Sequence, residues 1–282
     1  MAIPLHASTG ERIWYYTYRV ICGLIFFFLI APIVVVIPLS FNAVPFFTFT
    51  PEMLSFDPAG YSLKWYEDFF TNANWQGAVS NSFIIAFFAT IISTTLGTIA
   101  ALGLSRSEMP AKTLIMGILI SPMIVPVIIA AAGMFFFYSD IGLASTHVGV
   151  ILAHAALGTP FVVITVTATL VGFDQSLIRA AATLGASPTL TFFKVIVPLI
   201  TPGVISGALF AFVTSFDEVV VVQFVGSYKQ RTIPWAMFSG LRESISPTIL
   251  AVATLLVTLS IIMLTTVELL RRRSDRIRGI TS

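Results

Sequence analysis

The sequence has few charged residues and only one cysteine. Asp, Glu, Lys and Arg make up 10% of its 282 residues, and 57% are hydrophobic. Soluble domains carry about 25% charged residues, and a soluble fold of this length has too little interior to hide so much apolar surface. We therefore expect the chain to lie in lipid. The single cysteine, Cys22, excludes a disulfide framework and a cysteine-built metal site.

The sequence also lacks the motifs of common enzyme classes. No G-x-x-x-x-G-K-[ST] is present, so we do not expect ATP binding through a P-loop, and no H-E-x-x-H is present either. His147 and His154 are seven residues apart without a nearby carboxylate, which makes a poor metal site. We expect them to be interfacial or packing residues. The prediction is a chain with no catalytic residue, no cofactor or metal site of its own, and no nucleic-acid partner.

Apolar stretches dominate the chain, and most have the length of one tilted membrane crossing, which needs roughly 20 residues. The fifth stretch is longer and contains Asp217 and Glu218, so we predict that it is interrupted. These features predict an all-α fold, a polytopic bundle of six transmembrane helices forming one domain over residues 1–282. The stretches cover approximately residues 20–41, 79–104, 113–138, 147–171, 195–225 and 248–270.

The distribution of positive charge predicts the orientation. With both termini in the cytoplasm, eleven Lys and Arg residues lie on the cytoplasmic side and four lie outside. Basic residues near spans favour the cytoplasm. We predict a multi-pass protein of a bacterial inner membrane with cytoplasmic N- and C-termini, in contact with membrane lipid.

Small residues at helical spacing predict close helix contacts. Ser93, Gly97 and Ala101 recur every four residues in the second stretch, and Gly203 and Gly207 form a G-x-x-x-G in the fifth. Such residues let helix backbones approach closely in lipid. We predict that they face other helices of the bundle.

The segment from Asp174 to Pro188 has the residues of a short helix, a turn and a second helix start. Asp174 is a good N-cap because its carboxylate accepts backbone N–H groups of the first turn. Gly185 favours the left-handed conformation that closes a helix. Ser187 and Pro188 suit a second N-cap followed by proline at the first helical position. We predict a cytoplasmic helix over about residues 175–185, then a sharp turn and a helix that enters the membrane.

The predicted cytoplasmic helix has an apolar face without an obvious cover. Leu177, Ala181 and Leu184 share one face at helical spacing. The cytoplasmic segments of this chain are too short to bury that face. We therefore expect it to dock in a groove of another protein.

This segment resembles the coupling helix of binding-protein-dependent ABC importers, whose permease subunits carry the pattern E-A-A-x3-G-x9-I-x-L-P. The spacing matches throughout, with valine in place of isoleucine and leucine, and with Arg179 in place of the glutamate. The resemblance implies a type I importer fold and a coupling helix that sits in a cleft of an ATPase subunit. The coupling residues that it implies are Leu177, Arg179, Ala180, Ala181, Leu184, Gly185 and Ala186.

Two further segments, residues 215–221 and 238–247, resemble the spermidine/putrescine-type permeases, especially their second permease subunit. The resemblance implies half of a translocation pathway for a polyamine. It also implies a second permease subunit in a heterodimer, two ATPase subunits that bind ATP and Mg, and a periplasmic solute-binding protein. Related permeases for opines, amino-acid-like compounds and other small ions share the pattern, so these substrates are alternatives. A secondary transporter driven by an ion gradient is a further alternative, although only one interrupted segment is visible.

Asp217 and Glu218 follow about twenty apolar residues, which places them between mid-membrane and the external face. Acidic side chains in this setting face water or a partner and mark pathways. We hypothesise that they attract a cationic substrate and that aromatic rings add cation–π contacts. The alternative is that the pair ends the span in interfacial water, or pairs with Lys229 or Arg231. The predicted pathway residues are Phe212, Ser215, Phe216, Asp217, Glu218 and Trp235.

Overall fold

The computed structural model describes residues 8–106, 108–171, 176–243 and 246–277. These residues form helices joined by short connections, and the described part contains no strand beyond an isolated bridge between Asn42 and Tyr61. The helices in the described part are, in chain order, α1 (Thr9–Leu39), α2 (Pro51–Leu54), α3 (Lys64–Thr71), α4 (Ala73–Leu104), α5 (Lys112–Ile124), α6 (Val127–Asp140), α7 (His147–Val171), α8 (Ser176–Thr183), α9 (Pro188–Thr191), α10 (Val197–Phe216), α11 (Val220–Val225), α12 (Ile233–Glu243) and α13 (Thr248–Ile277).

The chain divides into two compact units. One contains Met1–Asn72 and Gly240–Ser282, and the other is Ala73–Ser239, so that the boundary falls within α12. The prediction that residues 1–282 form one permease domain stays a prediction.

Among the described residues, four helices are long and apolar enough to cross a membrane. They are α1, α4, α7 and the continuous helix Pro188–Phe216, which contains α9 and α10. The apolar part of α13, Thr248–Ile262, begins at the same residue as the sixth predicted stretch, 248–270, but is shorter than that stretch. The predicted all-α membrane bundle is confirmed.

The third stretch, residues 113–138, which has the length of one crossing, contains two helices. The helices α5 and α6 meet there at a bend of 103°. The cause is Pro126, whose ring disfavours helical geometry at the preceding residue. Val125 accordingly has an extended backbone, with φ −70° and ψ 132°.

In the unit Ala73–Ser239, the helices α4, α7 and α10 approach one another closely. A methyl group at Gly97 would lie 2.6 Å from Cβ of Val162, and one at Gly207 would lie 2.8 Å from Cα of Val162. The hydroxyl of Ser93 donates to the carbonyl of Ala155 at 3.0 Å. The small residues predicted to face other helices are all buried, which confirms that prediction: Ser93, Gly97, Ala101, Gly203 and Gly207.

The short helix α11 packs into a second core of the same unit. Its Val221 and Val225 are fully buried and belong to one cluster with Tyr138 of α6 and Val150 of α7. This core fixes the position of the chain that follows α10.

In the other unit, the segment between α1 and α3 is held by hydrogen bonds around Asn42. The side-chain nitrogen of Asn42 donates to the backbone carbonyls of Phe46 and Thr48. The backbone carbonyl of Asn42 accepts from Nε1 of Trp65 at 2.7 Å. The helix α3 packs against α13. There the hydroxyl of Thr248 donates to Asp68 at 2.7 Å.

Candidate functional site

The predicted coupling segment contains the helix α8, Ser176–Thr183, which ends in a hydrogen-bonded cap. The N–H of Gly185 donates to the carbonyl of Ala182, and the N–H of Ala186 donates to that of Ala181, both at 3.0 Å. Gly185 has φ 79°, the left-handed conformation that this cap requires and that glycine adopts without strain. The predicted N-cap, Asp174, and the first residue of the predicted helix, Gln175, lie outside the described residues.

A second helix begins at Pro188, three residues after Gly185. The hydroxyl of Ser187 accepts from the N–H of Leu190 at 3.3 Å, and Pro188 occupies the first turn. The helix then continues through a π-helical turn, Phe192–Ile196, into α10. The helix, the glycine turn and the proline-started helix follow one another as the sequence predicts.

The side chains of α8 and its cap are largely uncovered. Leu184 is 87% exposed and Leu177 is 43% exposed, whereas Ala181 between them is half-buried. The backbone at the C-terminal end of α8 is satisfied by its cap, but the described residues leave its apolar side chains largely uncovered. The residues predicted to couple to an ATPase lie together on this exposed element: Leu177, Arg179, Ala180, Ala181, Leu184, Gly185 and Ala186. Their role stays a prediction.

At the other end of α10 the helix stops at the acidic pair. The N–H of Asp217 donates to the carbonyl of Val213 at 3.0 Å, and the Asp217 side chain is exposed. Glu218 is half-buried, and its Oε1 accepts from the N–H of Val221 at the start of α11. The predicted interruption of the fifth stretch is confirmed at residues 217–219. The two acids differ, because the Glu218 side chain caps a helix whereas the Asp217 side chain is exposed at the surface.

The aromatic residues predicted for the pathway form a stack beside this break. The rings of Phe212 and Phe216 stack with centroids 5.8 Å apart, and Phe83 of α4 meets Phe216 edge-on at 5.5 Å. Both Phe212 and Phe216 are half-buried. Ser215 instead points into the bundle, where it is 3% exposed and its Oγ lies 2.8 Å from Nδ1 of His154.

Trp235, the last predicted pathway residue, already carries a cation of this chain. The guanidinium of Arg231 lies 4.6 Å from the centre of the Trp235 ring and 3.4 Å from that of Tyr228. The indole N–H of Trp235 donates to Gln223. Arg231, one of the alternative partners for the acidic pair, thus has its charge over two aromatic rings.

A polar network that we did not predict ties the loop after α11 to α4 and α7. The side-chain nitrogen of Asn81 donates to the carbonyls of Lys229 and Arg231 at 2.8 and 2.9 Å. Oδ1 of Asn81 lies 3.0 Å from Nε2 of His147, whose Nδ1 lies 3.4 Å from Gln230. Polar residues inside otherwise apolar stretches were the signal available in the sequence.

Comparisons with known proteins give one family. The family model described as binding-protein-dependent transport system inner membrane component matches residues 93–276. The spermidine/putrescine transport system permease protein PotC of Haemophilus influenzae is 31% identical over 251 residues, covering 89% of this chain and 95% of the relative. The putrescine transport system permease protein PotI of Escherichia coli is 31% identical over 242 residues, covering 82% of each.

Two solved structures show the same fold. A bacterial ABC transporter involved in the import of the acidic polysaccharide alginate matches with a TM-score of 0.70 at 15% identity, covering 96% of this chain and 99% of that chain. The MetNI methionine ABC transporter, in an inward-facing conformation, matches with a TM-score of 0.52 at 19% identity, covering 73% and 95%. At these identities the likeness concerns the fold alone.

Proposed function

The chain belongs to the family of binding-protein-dependent transport system inner membrane components and is a permease subunit of an ABC importer, and from this premise we propose that it forms half of an import pathway for a polyamine. Its relatives are transport permeases rather than enzymes. In our proposal, ATP and Mg are bound by two partner ATPase subunits, and a second permease subunit supplies the other half of the pathway.

The exposed leucine at the end of α8 is the observation on which the proposal rests most. Leu184 follows directly after α8 and is 87% exposed, Leu177 on α8 is 43% exposed, and the C-terminal end of the helix is capped. Two exposed leucines on such an element are suited to a groove in a partner. We propose that Leu184 and Leu177 occupy such a groove on an ATPase subunit in the cytoplasm. Arg179 replaces the family glutamate, so the contact relies on apolar packing rather than on an acidic side chain at that position.

The acidic break supports a cationic substrate. Asp217 is exposed at the end of α10, next to the stacked rings of Phe212 and Phe216. A carboxylate and aromatic faces together favour an ammonium group. The relatives PotC and PotI are named for spermidine and putrescine, which are polyamines with several such groups. With the N- and C-termini in the cytoplasm, this break lies toward the external side, where a periplasmic solute-binding protein delivers the substrate.

Reconstitution tests the proposal as a whole. The complex is purified from its native membrane through a tag on this chain, incorporated into proteoliposomes, and assayed for uptake of labelled spermidine and putrescine with the binding protein encoded beside it. We expect a co-purifying ATPase subunit and uptake that requires ATP. Uptake by the purified chain without a nucleotide-hydrolysing companion contradicts the proposal, and so does a complex that transports only anionic or neutral solutes.

Neutralising the acidic pair tests the pathway. We expect the double variant Asp217→Asn, Glu218→Gln to reduce polyamine uptake by about tenfold, the change that corresponds to a loss of about 1.4 kcal/mol of binding. The ATPase activity of the complex is expected to stay, because neither residue lies near α8 in the chain. Asp140→Asn is the matched control, since Asp140 is an exposed acid at the end of α6. Equal uptake by the double variant and the wild type removes the pathway assignment.

A further inference from the structure

The residues of α10 that face α7 recur every four positions, and the last of them is polar. A methyl group at Gly203 or Gly207 would collide with α7, and Ala211 lies against Gly158. One turn further, Ser215 meets His154 at 2.8 Å. The interface is therefore a row of small residues that ends in a polar pair, immediately before α10 stops. From the first to the last, the row on α10 is Gly203, Gly207, Ala211 and Ser215.

The polar pair is enclosed. His154 is 1% exposed and Ser215 is 3% exposed. Nε2 of His154 is also buried and has no hydrogen-bond partner among the described residues, so the ring is held through Nδ1 alone. A buried polar group is costly when it is left without a partner. Loss of the Ser215 hydroxyl would remove this buried hydrogen bond, so we expect the contact to constrain how α7 and α10 pack at this point.

The pair lies directly beside the acidic break. Ser215 is the penultimate residue of α10, and Asp217 follows the last one. Within the break, Glu218 caps α11, which is anchored by its buried valines against α6 and α7. The two sides of the break are thus both fixed to α7, through His154 on one side and through the core around Val150 on the other.

We propose that His154 is a positioning residue for the acidic break: its hydrogen bond to Ser215 sets where α10 ends and thereby how Asp217 is presented to a cation. The small residues of the row allow the two helices to come close, and the polar pair selects one register between them. The effect on transport rests on the proposed function, whereas the effect on the geometry of the break does not.

Cysteine labelling tests the geometry. Cys22 is the chain's one cysteine, so Cys22→Ser gives a chain without thiols, and labelling is measured on this chain's band. Val219→Cys then reports the break through its rate of reaction with a maleimide in the detergent-solubilised complex, where the side of the membrane is irrelevant. We expect Ser215→Ala to raise this rate by about fivefold, the change that corresponds to the loss of a hydrogen bond worth about 1 kcal/mol.

Ser93→Ala is the matched control for this experiment. Ser93 is 1% exposed, and its hydroxyl donates to the carbonyl of Ala155 of α7 at 3.0 Å, so the variant removes an equally buried hydroxyl from the same bundle. We expect its labelling rate to equal that of the background.

A second variant, His154→Gln, removes the ring while the Ser215 hydroxyl stays, and we expect faster labelling there as well. The proposal is overturned if Ser215→Ala and His154→Gln label at the background rate, or if Ser93→Ala accelerates labelling equally.

Uptake kinetics separate this proposal from the proposed function. We expect Ser215→Ala to raise the KM for polyamine uptake while the maximal rate stays close to that of the wild type, because the acid is displaced and the coupling element is intact. A lower maximal rate with an unchanged KM contradicts positioning. If labelling responds but the acidic double variant transports normally, the positioning stands and the pathway assignment fails. If Ser215→Ala leaves the labelling rate unchanged but the acidic double variant loses uptake, the positioning fails and the pathway assignment stands.

Discussion

The two ends of the long helix Pro188–Phe216 differ in what covers their apolar side chains. Before it, Leu184 is 87% exposed on the capped α8 segment. After it, Val221 and Val225 of α11 are fully buried in the chain's own core. In our proposal an ATPase subunit covers the leucines before the helix, whereas the break after the helix is held by packing within this chain. The proposed coupling segment thus keeps its leucines exposed, whereas the proposed pathway segment is followed by valines that are buried in this chain.

The largest effect is expected at the buried end. Val221→Asp places a carboxylate in an apolar core without a partner, which costs several kcal/mol. We expect the chain to be nearly lost from the membrane fraction, as measured by immunoblot. Leu184→Asp, the same kind of change at the exposed end, is expected to leave the amount of chain unchanged. An equal loss of chain from the membrane in both variants would contradict the proposed difference between the buried and the exposed end.

The next largest effect is on coupling at the exposed end. We expect Leu184→Asp to lower ATP-dependent uptake in proteoliposomes by roughly tenfold or more, since a charge in an apolar groove costs at least the 1.4 kcal/mol that this factor represents. Leu54→Asp is the control, because Leu54 is 68% exposed in α2 and is far from α8 in sequence. Wild-type uptake in the Leu184 variant would show that this leucine does not dock.

A smaller effect is expected from Gly185→Ala. A side chain at Gly185 meets no atom within 4 Å, so the cost is the left-handed backbone alone, about 1–2 kcal/mol. We expect uptake to fall several-fold while the chain stays in the membrane. Gly142→Ala is a matched control, because Gly142 has φ 72° and equally open space. A similar fall in the control would show that backbone strain anywhere in the chain is sufficient.

The smallest effect is expected at the second helix start. Ser187→Ala removes an N-cap worth about 1 kcal/mol, and its hydrogen bond of 3.3 Å is long. We expect a reduction in uptake of less than fivefold, measured in the same proteoliposomes. Ser187→Asp retains a capping oxygen and is expected to restore uptake to the wild-type level. If Ser187→Asp transports no better than Ser187→Ala, the cap is not the cause.

Local rules accounted for much of the fold. The length of the apolar stretches predicted the long helices, because each crossing of lipid needs a fixed number of residues. Gly185, Ser187 and Pro188 predicted the turn after α8, since each acts on its own backbone and its nearest neighbours. The break at Asp217 was also visible as charge within an apolar stretch.

Interactions between distant parts of the chain were not predictable in this way. The hydrogen bonds of His154 with Ser215 and of Asn81 with Lys229 join residues 61 and 148 positions apart. A single sequence contains no information on which helices pack together. Pro126 inside the third apolar stretch favours a bent helix, but a proline alone does not fix the angle, which is 103° here.

Cross-linking at position 184 tests the account most directly. In a Cys22→Ser background, Leu184→Cys is treated with a short bifunctional thiol-to-amine reagent in native membranes, and the adducts are identified by mass spectrometry. The account predicts an adduct with the ATPase subunit, and protection of the cysteine from maleimide when that subunit is bound. A cysteine that gives no such adduct, and that reacts only with a membrane-impermeant reagent applied from the external side, would contradict it.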